Sequence, residues 1–160
     1  MHPTLNDLPE KTRKKVIALL NARLADATDL AGQSKQAHWS VRGPVFIALH
    51  ELVDKVYEEA EEFKDLIAER IAQLGGVAEG TVRLAAKNSS LAEYPTKLVD
   101  GAAHCKQLAK ALAAFAKGTR RAIDESQEAG DAATADLFTE VTRDADKMLW
   151  FVEAHLHAKR

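Results

Sequence analysis

A chain of 160 residues is long enough for one domain with a substantial hydrophobic core. Hydrophobic residues make up 46% of the chain, glycine and proline are scarce, and the net charge of −2 gives no general electrostatic case for nucleic-acid binding. One cysteine and no apolar run near the ~20 residues that span a bilayer exclude a disulfide framework and a membrane protein, so we expect a cytoplasmic protein.

The first predicted helix opens at residues 7–10, where Asp7 and Glu10 have the spacing of a capping box. Its apolar positions recur in steps of three and four, and the same stripe continues past Ser34 to His38. Arg42-Gly43-Pro44 then interrupts the helix, and Pro44 suits the first turn of the next one. The apolar stripe of this first helix consists of Val16, Leu20, Leu24, Ala27 and Ala31.

Three further long helices are predicted. The second runs from about residue 45 to residue 74 and stops at Gly75-Gly76. A long connection follows, with a candidate short helix at residues 89–94. The third helix covers about 96–127, and the fourth runs from Gly130-Asp131 to about 157. Two helical hairpins joined by one long crossover predict an all-α, ferritin-like four-helix bundle that forms a single domain over residues 1–160.

The second helix carries a polar face beside its apolar stripe. Between residues 58 and 69 there are six acids and one lysine, and several of the acids lie four residues apart, where like charges repel. A solvated acidic surface is one interpretation. The alternative is a metal site, because histidines and carboxylates on helix faces are the usual iron ligands in bundles. This face consists of His50, Asp54, Tyr57, Glu61, Asp65 and Glu69.

One helix cannot close such a site. Asp54 and Asp65 are eleven residues apart, which puts them within ~20° of the same face but ~16 Å apart along the axis. Two copies packed antiparallel about a two-fold axis, with residue i opposite residue 119 − i, bring His50 to Glu69 and Asp54 to Asp65 of the partner subunit. His38 then completes each of two identical sites. Two pairs of residues spaced four apart often fit such a pairing by chance. The interpretation therefore depends on the chemistry of the four side chains.

The spacing His38-x₁₁-His50-x₃-Asp54-x₁₀-Asp65-x₃-Glu69 strongly resembles that of the Dps family of mini-ferritins. Trp39 after the first histidine, Leu74-Gly75-Gly76 at the helix end and the segment 143–151 extend the likeness over essentially the whole chain. The resemblance implies a hollow homododecamer with ferroxidase sites shared across its two-fold dimers. Ordinary ferritins carry their di-iron site inside one bundle with Glu-x-x-His motifs, and that motif is absent from this sequence.

The same resemblance implies an oxidoreductase for iron that protects against oxidative stress. His38, His50 and Asp54 of one subunit, with Asp65 and Glu69 of the other, would bind Fe²⁺ for oxidation, preferably by hydrogen peroxide rather than O₂. Fe³⁺ would then be stored as mineral inside the shell. Trp39 would absorb stray oxidising equivalents, or alternatively anchor the dimer interface. The acidic pore for iron entry would involve Asp136, with Asp131 and Glu140 nearby, although a solvated helix face explains these acids too.

Direct DNA binding is a separate functional class. Some members of the family bind DNA through lysine-rich termini, but residues 1–6 contain no lysine or arginine and residues 158–160 are a short basic end. The basic residues 11, 13, 14 and 15 lie on the first helix. Twelve copies at −2 each would carry roughly −24. We therefore expect no strong DNA binding at neutral pH, and nucleoid association stays open. Cys105, His104, His155 and His157 are expected to be structural or surface residues.

Overall fold

The computed structural model describes residues 1–157, and five α-helices account for most of them. The long helices α1 and α2 form one hairpin and α4 and α5 form the other, and the packing is most extensive within each hairpin. The short helix α3 lies in the crossover and packs on α1. No helix in this part of the chain is long and apolar enough to cross a bilayer. The helices are α1 (Glu10–Ser40), α2 (Phe46–Gln73), α3 (Val82–Asn88), α4 (Gly101–Glu128) and α5 (Ala132–Ala154).

The predicted all-α, ferritin-like bundle is confirmed, and its core lies where the apolar stripes meet. Every residue of the predicted α1 stripe is buried, and so is every apolar residue at the core-facing positions of α2. The rings of Phe63 and Phe115 stack 5.6 Å apart between α2 and α4. The apolar residues of α4 are buried from Cys105 onward, whereas Leu98 precedes the helix and Ala102 is exposed. The buried α2 positions are Leu49, Val53, Val56, Ala60, Phe63, Ile67 and Ile71.

The helix stops predicted at glycine are confirmed. Gly75 adopts a positive φ of 79° and donates to Ala72, while Gly76 donates to Ile71, which is the Schellman arrangement at the end of α2. Gly130, with φ 85°, ends α4 in the same way. A side chain would be strained at these φ values, so the glycines fix both chain reversals.

The predicted helix starts are less accurate. The capping box at residues 7–10 is wrong, because α1 begins at Glu10 after Pro9 without any side-chain cap, and Asn6 instead accepts from the backbone of Leu8. α2 begins at Phe46, two residues after Pro44. α4 begins at Gly101 rather than near residue 96, because the Asp100 carboxylate accepts from the Ala103 N–H and caps the helix there.

The short crossover helix exists, but it covers residues 82–88 and not residues 89–94. Ser89 and Ser90 are drawn out of helical geometry by two acids of α1. Ser89 Oγ donates to Asp29 Oδ2 at 2.6 Å, and the Ser90 N–H donates to Asp26 Oδ1 at 2.7 Å. Asp26 is fully buried, so these bonds fix the crossover to α1.

Candidate metal centre

Two histidines meet where α1 passes into α2. His38 lies in the last turn of α1 and His50 near the start of α2, and the connection of five residues between the helices reverses at Gly43, whose φ is 117°. The two imidazole rings stack with their centroids 3.7 Å apart and an interplanar angle of 26°. The Phe46 ring lies 5.0 Å from the His50 ring. The short connection thus places two ring nitrogens side by side.

The hydrogen bonds of this pair fix the tautomer of each ring. His38 Nδ1 donates to the His50 carbonyl at 3.1 Å, and His50 Nδ1 donates to the His38 carbonyl at 3.0 Å. A carbonyl oxygen can only accept, so each Nδ1 carries a proton, and Nε2 is the nitrogen of each ring that can bind a metal ion. Metal-binding histidines have this same second bond to a backbone carbonyl. The geometry of the pair therefore fits two Nε2 ligands.

Asp54 lies one helical turn beyond His50 and joins the histidine pair. Its Oδ1 atom is 3.6 Å from His38 Nδ1 and accepts a hydrogen bond from Lys35 Nζ at 2.5 Å. The Lys35 ammonium lowers the pKa of Asp54, more than burial raises it, and the neighbouring histidines lower it further. Lys35 Nζ also lies 4.5 Å from the centroid of the Tyr57 ring. A protein cation is thus already bound to this carboxylate.

Asp65 and Glu69 lie farther along the same helix. Both are exposed, and neither makes a salt bridge within residues 1–157. Over that same range a single chain holds no group of three or more histidine, cysteine or acidic side chains able to bind a metal. His38 stacks on His50 and lies near Asp54, but these three side chains do not by themselves form a metal site in one chain, and Asp65 and Glu69 lie apart from them.

Trp39 and the three acids near α5 occupy contrasting positions. The Trp39 side chain is 67% exposed, next to His38 at the end of α1. Asp131 is buried: it caps α5 by accepting from the Thr134 N–H, and its two carboxylate oxygens accept from Arg70 Nη2 at 2.9 and 3.1 Å. Its carboxylate is fully used inside the chain and cannot line a pore as expected. Asp136 and Glu140 are exposed on α5.

Two residues that shape this region were missed from the sequence. Lys35 is three residues before His38 on α1, so helical spacing alone would have put it beside the predicted ligands. Arg70 follows Glu69 in an acidic stretch, where a surface ion pair is the ordinary expectation. Its bonds to Asp131 and Thr134 depend on the packing of α2 against α5, which no local pattern reveals.

Known proteins that resemble this chain match it over nearly its full length. A family model for a ferritin-like domain matches residues 17–160. The "DNA protection during starvation protein" of Agrobacterium fabrum is 46% identical over 158 residues, 99% of this chain and 98% of that protein.

Solved structures give the same result. DpsC from Streptomyces coelicolor superposes with a TM-score of 0.93 at 34% identity, covering 100% of this chain and 92% of that one. The Dps of Mycobacterium smegmatis superposes at 0.92 with 31% identity, covering 99% and 95%. These likenesses extend over the helices that carry the histidine pair and the acids. The chain belongs to the ferritin-like proteins and, within them, to the Dps family.

Proposed function

We propose that this protein is a ferroxidase mini-ferritin, which oxidises Fe²⁺ at sites shared between two subunits and stores the Fe³⁺ as mineral. The observation that carries the proposal is the reciprocal bonding of His38 and His50, which occupies both Nδ1 atoms and leaves the Nε2 atoms as the candidate ligands of a pair that lies beside Asp54. Imidazole nitrogens next to a carboxylate are suited to iron. Membership of the Dps family supports the same function.

The proposed assembly is a hollow homododecamer built from two-fold dimers. In each dimer the α2 helices pack antiparallel, so that Asp65 and Glu69 of the partner subunit face His50 and Asp54. The exposure of both acids, and the lack of a salt bridge to either within residues 1–157, leave their oxygens available for this role. A two-fold interface is self-complementary, so one contact produces two complete sites.

Iron is the substrate of the proposed reaction. Two Fe²⁺ ions and one H₂O₂ take up two protons and give two Fe³⁺ ions and two water molecules, so the O–O bond is cleaved without release of hydroxyl radical. The histidines hold Fe²⁺, and the carboxylates favour the harder, more highly charged Fe³⁺. Peroxide is the proposed oxidant, with O₂ as the slower alternative. Removal of both reagents would protect cell components, DNA included, in a cytoplasmic setting.

Iron entry and the protection of the site complete the proposal. Asp136 and Glu140 are exposed on α5 and would attract Fe²⁺ at a pore between subunits. Trp39, exposed beside His38, would absorb stray oxidising equivalents or else become buried in the dimer interface. Both assignments belong to the proposal and rest on position and chemistry.

Subunit complementation tests the shared site. Asp54→Ala and Glu69→Ala each remove one ligand from every site, so each variant alone is expected to lose peroxide-driven ferric absorbance. Co-expression produces mixed dimers in which one site lacks both ligands and the other is complete. With random pairing, about a quarter of all sites are restored. Asp54→Ala co-expressed with His50→Ala is the matched control, because both ligands come from the same subunit and no site is restored.

The outcomes separate the possible sites. Recovery in the first mixture alone supports a site that joins two subunits. Equal recovery in both mixtures, or in neither, would contradict it. Full activity of Asp54→Ala by itself would contradict the ferroxidase assignment, because that carboxylate adjoins the histidine pair.

Direct DNA binding is not part of this proposal. Two members of the basic cluster on α1 are occupied: Arg13 donates to the carbonyls of Leu8 and Leu74, and Lys14 pairs with Glu10 at 2.5 Å. The backbone of His2 donates to Gly75 at 2.7 Å, which fastens the first residues to the end of α2. A gel shift that retains plasmid at physiological salt would contradict our expectation.

A further inference from the structure

A cavity of about 530 Å³ lies between α1 and the crossover, outside the proposed metal centre. Its volume is within the range of sites that bind small organic molecules. The walls come from residues 28–36 of α1, from α3 and from the segment that follows α3. Neither the histidine pair nor Lys35 lines it, so its chemistry is separate from that of the proposed iron site.

A buried hydrogen-bond acceptor without a partner lines this cavity. Gln33 is only 4% exposed, and its Nε2 donates to Asp29 Oδ1 at 3.1 Å and to the Ala92 carbonyl at 3.0 Å. Both of these oxygens accept, so the amide nitrogen must be the atom that faces them. The other amide atom, Gln33 Oε1, is buried and accepts no hydrogen bond within residues 1–157. Buried polar atoms are nearly always paired, so this oxygen indicates a donor that the chain itself does not supply.

Two acids of the cavity lie beside the same amide. Asp29 is bonded to its nitrogen, and Glu93 follows Ala92, whose carbonyl is the second acceptor. Ser89 Oγ also donates to Asp29 at 2.6 Å, but neither a hydroxyl nor an amide cancels a carboxylate charge. In the described part of the chain neither acid forms a salt bridge, and no lysine, arginine or histidine lines the cavity. The site therefore has two uncompensated negative charges.

The opposite wall is apolar. Val82, Ala85 and Ala86 of α3 line it, together with Leu91 from the segment after α3. A small metal ion is a poor match, because hard cations take oxygen ligands around their whole surface. Over residues 1–157 there is also no group of three or more histidine, cysteine or acidic side chains able to bind one. An alkyl chain with an ammonium group matches both halves of the cavity, since the chain can contact the apolar wall while the ammonium donates to the oxygens.

We propose that this cavity binds a small aliphatic amine, whose ammonium group donates to Gln33 Oε1 beside Asp29 and Glu93 and whose alkyl chain packs on α3. A linear diamine suits the pair of acids, because each ammonium group compensates one carboxylate. The bound amine contacts α1, α3 and the segment after α3 together, so it stabilises the crossover against local opening. This site is independent of the proposed oxidation of iron.

Isothermal titration calorimetry of the assembled protein with cadaverine, a linear diamine, tests the site. We expect saturable binding of one cadaverine per chain. Replacing putrescine with cadaverine adds one methylene and is expected to lower the Kd about two- to fourfold. The diol of the same length as cadaverine has no charge and is expected to bind at least about tenfold more weakly.

Substitution of Gly32 tests whether the amine occupies this cavity. A Cβ at Gly32 meets no atom within 4 Å, and this residue lies inside α1 without a positive φ, so larger residues are compatible with the helix. Gly32→Leu places its side chain where the ligand would lie and is expected to raise the Kd of cadaverine at least about tenfold. Gly32→Ala is the matched control, because a single methyl group leaves most of the cavity open. Size-exclusion chromatography and thermal melts establish that each variant is assembled and folded.

A charge variant provides a second, independent measurement. Glu93→Gln keeps the shape of the side chain but removes its charge, and it is expected to raise the Kd of cadaverine about fivefold. Glu79→Gln is its matched control, because Glu79 is an exposed acid of the same connection that does not line the cavity. This control is expected to bind cadaverine as the unmodified protein does.

Three results would overturn the proposal. The absence of saturable binding by the assembled protein is expected if only water, or a side chain of a second copy, fills the cavity. Equal affinity for the diol or for Mg²⁺ would assign the cavity to a different class of ligand. Cadaverine binding that is unchanged in both Gly32→Leu and Glu93→Gln would place the amine elsewhere on the protein.

Discussion

Replacing Lys35 with methionine is expected to tighten Fe²⁺ binding, because the lysine ammonium already bonds to a proposed ligand. Lys35 Nζ lies 2.5 Å from Asp54 Oδ1, so a metal ion must displace it. The two side chains are 28% and 37% exposed, and breaking so exposed a pair costs ~0.2–1 kcal/mol. An ammonium displaced to about 6 Å repels a divalent ion by roughly 1 kcal/mol more after screening.

These contributions sum to about 1–2 kcal/mol, which corresponds to a Kd about 5- to 30-fold lower in Lys35→Met. Anaerobic titration calorimetry of the assembled protein with Fe²⁺ measures it. Lys35→Arg keeps the charge and is expected to bind iron as the unmodified protein does. Lys14→Met is the matched control, because it removes a pair of the same length, with Glu10, on the same helix as Lys35 but away from the proposed ligands. Affinity in Lys35→Met equal to or below that of the unmodified protein would refute the competition.

The remaining predictions concern α5 and the acidic stretch of α2. Asp131→Ala leaves Arg70 unpaired and α5 uncapped, so we expect a loss of about 3 kcal/mol in urea unfolding with iron entry unchanged; slow iron uptake with full stability would contradict this. Asp136→Asn is expected to slow iron uptake in stopped-flow absorbance without changing stability, and an unchanged rate would remove it from the pore. Burial and Asp144 raise the pKa of Glu59, so this carboxyl binds its proton more tightly in the folded state. Its contribution to stability is therefore lost as pH rises above the ordinary value of 4.5, and Glu59→Gln is expected to flatten that fall in pH-dependent melts; identical profiles would contradict the prediction.

The sequence predicted the helices well where local chemistry decides. Apolar residues spaced by three and four can be buried together on only one helix face, and glycines at positive φ end α2 and α4 as predicted. The starts were harder, since a cap depends on which of several nearby polar groups reaches the first N–H. Asp100 caps α4 while Asp7 caps nothing, although both residues have suitable chemistry. The crossover helix lies earlier in the chain than predicted, because Ser89 and Ser90 bind acids some sixty residues away and no local pattern contains that contact.

In the candidate site, too, the features set by local spacing were predictable and those set by tertiary packing were not. Helical spacing predicted that His50 and Asp54 share one face of α2, and His38 was expected to reach them from the preceding turn; in the structure His38 lies against His50 and near Asp54. The sequence could not predict the hydrogen bonds from each histidine ring to the carbonyl of the other residue, because they depend on how closely the short connection brings the two backbones together. Helical spacing places Lys35 near the proposed ligands. Which of the nearby acids it pairs with depends on rotamers and packing, which the sequence does not reveal. Asp131 was misjudged because its charge suggested a surface, whereas Arg70 compensates that charge in the interior.

Charge explains why the proposed site needs a second subunit. Within one chain the Asp54 carboxylate is already paired with Lys35, and imidazole rings supply no negative charge, so a divalent ion gains little net attraction there. Asp65 and Glu69 of the partner subunit would add two negative charges and supply the attraction that displaces the ammonium. Those acids in turn repel one another until a cation binds between them. Iron affinity and dimerisation are therefore expected to be thermodynamically linked, with each strengthening the other by the same factor.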